Sequence, residues 1–392
     1  MLKNMPAAWA VGARRRASVG LACGLVLASV LFLPARASAS ATIRVPADYP
    51  TIQAAVDAAN PGDTISVAAG TFSEQVTIGK NLTLTGAGAD STTIHAPATL
   101  VGGPIAGWRA IVTVVGGAQV AVSRLTVTGP GSQPCSSGQI SGIFVGQDAT
   151  LDLHFAAVRD IRATPVGSCS GPGAQAIKVG LDGRSTGIKT IGHATIADDV
   201  ISGYGHEGIN VTNANSTATI MHNRISGIGG SPDHFVSGIT VQRGATATIV
   251  GNKITDNHCT SPAQGCGPDP LNNFQDLGIL VESTGPGTVI ANNQLSGNDA
   301  GVVLFFAPKC CSVSDNTLTE NFVAGYEVAD GDQSISHDAI SGGEVGVFVL
   351  ADSVNTTVTL RDVSITGTSV APTQAFSCCG FTARTVILGP GQ

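Results

Sequence analysis

Glu207-Gly208-Ile209-Asn210-Val211 is followed by Asn223-Arg224-Ile225-Ser226-Gly227, and 30 residues after Gly208 the phrase starts again as Ser237-Gly238-Ile239-Thr240-Val241. Its first half also occurs at Ser141-Gly142-Ile143-Phe144-Val145 and Leu277-Gly278-Ile279-Leu280-Val281, with looser copies from Ala176, Gly301, Gly325 and Gly346. Its second half returns at Asn252, Asn293 and Asn316. Short strands in a recurring unit indicate a solenoid, because each unit buries its apolar face only against its neighbours. The shortest intervals, 24 residues from Gly301 to Gly325 and 21 from Gly325 to Gly346, fit one coil of a parallel β-helix. Longer intervals, such as the 40 residues from Gly238 to Gly278, carry Gly, Pro, Ser and Cys. They are expected to be loops inserted just before the Gly-Ile strand, building a wall on one side of the rod.

In Gly-Ile-x-Val the two β-branched residues point one way and x the other. Ile143 and Val145 are therefore core residues, with Phe144 outside. Lys178, Asn210, Thr240, Leu280 and Phe348 should align with Phe144 on one outer face. Charged residues make up only 12 % of the chain, Gly is 50 of 392, and Val, Ile and Thr fill the runs. This is strand composition.

Residues 1–41 read as a signal peptide: Arg14-Arg15-Arg16, an apolar run from Val19 to Leu33, then Ala37-Ser38-Ala39 or Ala39-Ser40-Ala41 as a cleavage site. The segment holds Lys3, Arg14, Arg15, Arg16 and Arg36 and no acid, so its removal takes the formal net charge from −7 to −12. That disfavours nucleic acid and anionic membranes as partners, and naked polyanions unless a cation bridges them. Residues 42–392 are expected to form one domain of roughly eleven coils, secreted and monomeric.

Ile52, Ala55, Val56 and Ala59 fall on one face of a helix bounded by Pro50 and Pro61, which should cap the open end of the solenoid. Around it, Tyr49-Pro50-Thr51-Ile52-Gln53-Ala54-Ala55-Val56, Pro61-Gly62-Asp63-Thr64-Ile65, Ala69-Gly70-Thr71-Phe72-Ser73-Glu74 and Leu82-Thr83-Leu84-Thr85-Gly86 resemble the opening of right-handed parallel β-helix proteins of the pectin-lyase-like superfamily. Pectin methylesterases and NosD-like secreted proteins share this opening. The resemblance implies a right-handed parallel β-helix that binds, and in many members processes, extracellular polysaccharide on a lateral groove. The catalytic signatures of the esterases, polygalacturonases, pectate lyases and alginate epimerases are absent from the sequence.

Two sets of residues stand out. Asn223, Asn252, Asn293 and Asn316, continued by Asp199, Asp338 and Asp362, should stack at one turn. Asn and Asp tolerate left-handed backbone and bond their neighbours. The second set lies in and beside the inserted loops. Lys178, His206, Glu207, Asp233 and His234 are the candidate catalytic residues, with Glu207 or His234 as base and Lys178 as electrostatic stabiliser. Asn210, Thr240, Gln242 and Asp276 are the candidate substrate contacts. A glycan lyase, hydrolase or esterase is one reading of this set, and a non-catalytic binding face is the other. His206, His234 and His258 lack zinc spacing, and no cofactor is implied; calcium at Asp269 and Asp276 stays open.

Eight cysteines remain after residue 41, an even number as expected of a disulfide-bearing exported chain. Cys135 lies seven residues before Gly142 and Cys169 seven before Ala176, which pairs them across adjacent coils. Cys259 and Cys266 suit a local loop closure. Cys310-Cys311 and Cys378-Cys379 are either vicinal disulfides or free thiols.

Overall fold

The β-branched runs become strands because their side chains fit a pleated surface, and nearly all of these strands pair in parallel. The computed structural model describes residues 40–389 apart from 106, 130–138, 163–172, 185–186, 231–234, 263–264, 268, 270, 272 and 274. Three sheets run the length of the described chain. The first has 13 strands, from Thr42–Val45 to Ala383–Leu388. The second has 11 and contains the Gly-Ile strands, such as Glu207–Thr212 and Ser237–Gln242. The third, also of 11, contains the Asn-x-Ile strands, such as Arg224–Ser226 and Lys253–Thr255. Each coil visits the second, first and third sheets in turn. The helix Ile52–Ala58 turns Ile52, Ala55 and Val56 into the core, and packs on strands Thr42–Val45 and Thr64–Val67. Thr51 caps it, and the Glu74 carboxylate accepts from the Ile52 and Gln53 amides, both at 2.9 Å.

Register follows the repeat. Ile143, Ile177, Ile209, Ile239, Ile279, Val302, Tyr326 and Val347 stack in one column with no solvent exposure. The Gly before this column is a matter of space. A Cβ on Gly208 would lie 2.5 Å from the Gly238 carbonyl oxygen and 3.1 Å from Ile225 Cγ2. On Gly238 it would meet Ile254 Cγ2 at 2.6 Å and the Gly278 oxygen at 2.7 Å. The second-sheet strand thus rests against the next coil and against the Ile of the third sheet at once.

The Asn column is a hydrogen-bonded ladder. Asn223 Nδ2 donates to Asn252 Oδ1 at 3.0 Å, Asn252 to Asn293 at 3.1 Å, and Asn293 to Asn316 at 3.0 Å. Each also donates to a carbonyl of the preceding coil. Asp338 takes the acceptor end, with Asn316 N donating to its Oδ1 at 2.8 Å and the Tyr326 hydroxyl donating to its Oδ2. Asp362 does not continue the column. Register places Val363 there, and Asp362 stands one residue earlier with φ 52°, beside His337 at φ 58°. A second ladder, unforeseen from the sequence, runs Tyr204–Asn257–Asn298–Asn321.

Two further expectations change. Phe144 is on the outer face but only 1 % exposed, packed with Trp108 and Leu181 in a small second core. Insertions are not confined to the position before the Gly-Ile strand: the antiparallel hairpin Leu181–Asp182 and Lys189–Thr190 follows it.

Two stability experiments follow from these columns. Gly238→Ala is expected to lose ~1–3 kcal/mol in denaturant unfolding, as overpacked cores do; an unchanged midpoint would show that the column can shift to accept a methyl. Asp199 sits at the donor end of the ladder, where its Oδ2 has no partner and Asn223 Oδ1 already faces it. Burial pushes its carboxyl up to about 7, against the amide of Ala156. Its folded pKa lies above the unfolded value, so its contribution to stability is full below pH 3.8 and is lost as pH rises through about 7. Asp199→Asn supplies the donor the ladder wants. The variant should gain on the wild type by on the order of 2 kcal/mol between pH 4 and 8; thermal melts whose gap stays constant over that range would refute the assignment.

Candidate functional site

On the outer face of the second sheet lies a cleft of ≈ 400 Å³, lined by Trp108, Gln175, Lys178, Leu181, Asp182, Arg184, His206, Glu207, Asn210, Thr212, Gln242 and Arg243. Register builds it: Lys178 pairs with Asn210, and Gln175 with Glu207. The unforeseen hairpin supplies Leu181 and Asp182, and the turn after Asp182 supplies Arg184.

Glu207 and Asn210 are three residues apart in one strand, and strict alternation would send them to opposite faces. They nevertheless meet, with Asn210 Nδ2 donating to Glu207 Oε1 at 2.6 Å. The strand departs from alternation at Gly208. Ser237 and Thr240 repeat the geometry one coil on, hydroxyl to hydroxyl at 2.6 Å. Lys178 Nζ donates to Asn210 Oδ1 at 2.9 Å and stands 5.7 Å from the centre of the Trp108 ring. His206 Nδ1 is 2.6 Å from Glu207 Oε2. The result is one continuous chain of contacts: Lys178, Asn210, Glu207, His206. Across the cleft, Arg243 Nε is 2.7 Å and Arg184 Nε 3.9 Å from Asp182 Oδ2. Three cations thus face two carboxylates, a local excess of positive charge on an acidic chain.

The environment fixes what each group can do. Burial pushes the Lys178 ammonium down to about 8, although the charge of Glu207 opposes this. Burial works against the charge of Glu207 too, but the His206 ring, Lys178 and the Asn210 amide outweigh it and hold the carboxyl at about 2. Glu207 is therefore ionised at neutral pH with both oxygens engaged, and is too weak a base for the role expected of it. It suits orienting His206 instead, as a carboxylate does for an imidazole whose other nitrogen acts. Both line the cleft, but the His206 side chain is 19 % exposed against 6 % for Glu207, so His206 is the more accessible of the two.

The other candidates divide. Gln242 lines the cleft, its Nε2 3.4 Å from Asn210 Oδ1. Thr240 is 2 % exposed, bonded to Ser237 and not part of the lining. Asp276 is fully buried, its Oδ1 accepting from Val236 N at 2.8 Å, which takes it off the substrate wall. Asp233, His234, Cys135 and Cys169 lie outside the described residues. Cys259 and Cys266 have their Cα atoms 5.5 Å apart. Trp108, Asp182, Arg184 and Arg243 were not anticipated. The glycines at 180, 183 and 187 around the hairpin were the only sequence signal for Asp182 and Arg184.

The titration of Lys178 tests this network directly. Pulse acylation of lysines across pH 6–10 is expected to place its half-point near 8. Glu207→Gln should lower that half-point, because the opposing charge is gone. An unmoved value would mean that the two groups do not sense each other.

The family described as "Right handed beta helix region" matches residues 179–363. No curated protein sequence matches the chain. Among solved structures, it is similar to the A-module of a mannuronan C-5 epimerase from Azotobacter vinelandii, at 15 % identity, over 87 % of this chain and 95 % of that one, with a TM-score of 0.47. It is similar also to the catalytic unit of an alpha-1,3-glucanase from Streptomyces thermodiastaticus, at 16 % identity over 86 % and 65 % of the two chains, TM-score 0.47. A surface adhesin of Streptococcus pneumoniae matches at 11 % identity over 82 % and 88 %, TM-score 0.42. No helix among the described residues is long and apolar enough to cross a membrane. Stacked parallel strands and the match over residues 179–363 together give this chain the fold of a right-handed parallel β-helix.

Proposed function

We propose that the protein binds an extracellular polysaccharide in the cleft between the hairpin strands Leu181–Asp182 and Lys189–Thr190 and strands Ala174–Val179 and Glu207–Thr212. The observation that carries the reading is the chain of contacts Lys178–Asn210–Glu207–His206 beside Arg243 and Asp182, held in a concave site on a rigid sheet. Convergent donors and acceptors of both signs suit a hydroxyl-rich ligand, and the extra cation suits one with acidic groups. On this reading residues 1–41 direct export, residues 42–392 form the working domain with the helix as its N-terminal cap, and the mature protein is a monomer. On the same reading Cys135 pairs with Cys169 and Cys259 with Cys266, as suits an exported chain.

A second reading, that the cleft also processes the glycan, is favoured by the lowered pKa of Lys178 and by the imidazole that Glu207 orients. His206 would exchange a proton with the substrate, while Lys178 steadies developing negative charge.

The test is a panel of neutral and acidic polysaccharides, with and without calcium, read by calorimetry, unsaturated-product absorbance and reducing-end release. Saturable binding is expected, weakened at least tenfold in Arg243→Ala with the melting temperature kept. Product formation lost in His206→Ala would establish processing; binding without product leaves a non-catalytic binder. A folded protein that binds nothing across the panel would sink both readings.

A further inference from the structure

Two pairs of adjacent cysteines lie where the chain passes from the second sheet to the first, Cys311 opening a first-sheet strand and Cys378 and Cys379 preceding one. Strands Ala300–Phe305 and Ala371–Ser377, which lead into them, are three coils apart. Their surroundings differ. Cys310 is 1 % exposed within the main core, with Gln333 Nε2 3.6 Å from its sulfur. Cys378 is half-buried and Cys379 exposed. Asp352, on the same turn one coil earlier, brings its Oδ1 to 3.4 Å from Cys379 Sγ. One ligand atom each from Asp352, Cys378 and Cys379 lies within 4.8 Å of the others, the one such cluster among the described residues. The turn that presents Asp352 is fixed from behind: Asp330 Oδ1 accepts from the amides of Asp352 at 2.8 Å and Ser353 at 2.7 Å. Asp330 is itself 3 % exposed.

We propose that Asp352, Cys378 and Cys379 form a redox-gated site for a thiophilic divalent cation of the zinc type. In the structure the two sulfurs are bonded to each other and are poor ligands. A thiol reductant delivers two electrons and two protons. Two reductant thiols become one disulfide, and Cys378 and Cys379 become thiols. The cation then displaces the two thiol protons and takes two thiolates and the Asp352 carboxylate, leaving a fourth tetrahedral position for water. Two soft donors and one carboxylate select zinc over calcium or magnesium. The bound ion ties the turn of the terminal coil to the coil before it. In that coil strand Ala371–Ser377 is exposed or half-buried at every position. The ion would act there as a staple. In the Cys310–Cys311 pair one sulfur is enclosed, Cys310 being 1 % exposed in the main core while Cys311 is half-buried, and that pair serves as the internal contrast.

The experiment is calorimetric titration of zinc into the mature chain, either as purified or reduced with dithiothreitol and desalted without oxygen, with melting temperature as a second readout. The reduced protein is expected to bind one zinc that the oxidised protein does not, and to melt higher with it. Cys378→Ser/Cys379→Ser should lose that zinc, and Asp352→Asn should weaken it at least tenfold. The proposal is overturned if the reduced wild type binds no zinc, or if either variant binds as tightly as the wild type. Asp352→Asn keeps every cysteine, so its result holds even where the serine variant folds poorly.

Discussion

Each strand of this protein is stabilised by its counterpart one coil along, at the ~4.8 Å spacing of paired strands. No coil is stable by itself, so the sequence repeats whatever that contact demands. It demands a glycine where the second sheet presses on the next coil's carbonyl, an aliphatic residue behind it, and an Asn at the turn into the third sheet. The Asn is required for a reason of accounting. Backbone groups at a buried turn need partners, and the side-chain amide provides one acceptor and two donors in a repeat that matches the coil spacing.

The repeat made most of the architecture legible, because period and alternation are properties of the chain itself. Ile209, Ile239 and Ile279 could be placed in the core, and Lys178 and Asn210 on one outer column, from spacing alone. What escaped was whatever depends on a local exception. Asp362 has the right residue type for the ladder but stands one position early, and a one-residue offset moves a side chain from the ladder to the turn. Asn257, Asn298 and Asn321 form a second ladder at the end of the third-sheet strand, outside the phrase that drew attention to the first. Phe144 obeys alternation and faces outward, yet the hairpin and Trp108 cover it, since an outer face is not an exposed face once an insertion folds over it.

The same exceptions make the cleft. On a regular β-helix an outer column is flat, and successive polar residues point in parallel without converging. Here the departure at Gly208 puts Glu207 beside Asn210, while the hairpin after Val179 raises a wall carrying Asp182 and Arg184. Sequence reading found Lys178 and Asn210 on the column, named Gln242 as a substrate contact, and found His206 and Glu207 by their loop composition. It could not assign their roles. Glu207 looked like a base as an isolated carboxylate. Enclosed by an ammonium, an amide and an imidazole it becomes a fixed anion, and the accessible chemistry passes to His206.

The two halves of the molecule therefore divide the electrostatic work differently. Inside, the Asn ladder is neutral along its length and ends in carboxyls, one with donors on both its oxygens at Asp338 and one without at Asp199. A neutral ladder can be repeated indefinitely, because adding a coil adds no charge; a ladder of carboxylates would repel itself in a low-dielectric core. On the outer face Lys178 and Glu207 are buried as members of a compensated set that includes the His206 ring and the Asn210 amide. That compensation is local to two coils, so the site can change its residues without altering the contacts that hold up the rest of the rod. The repeat sets where a site can stand, and the irregular positions decide what it does.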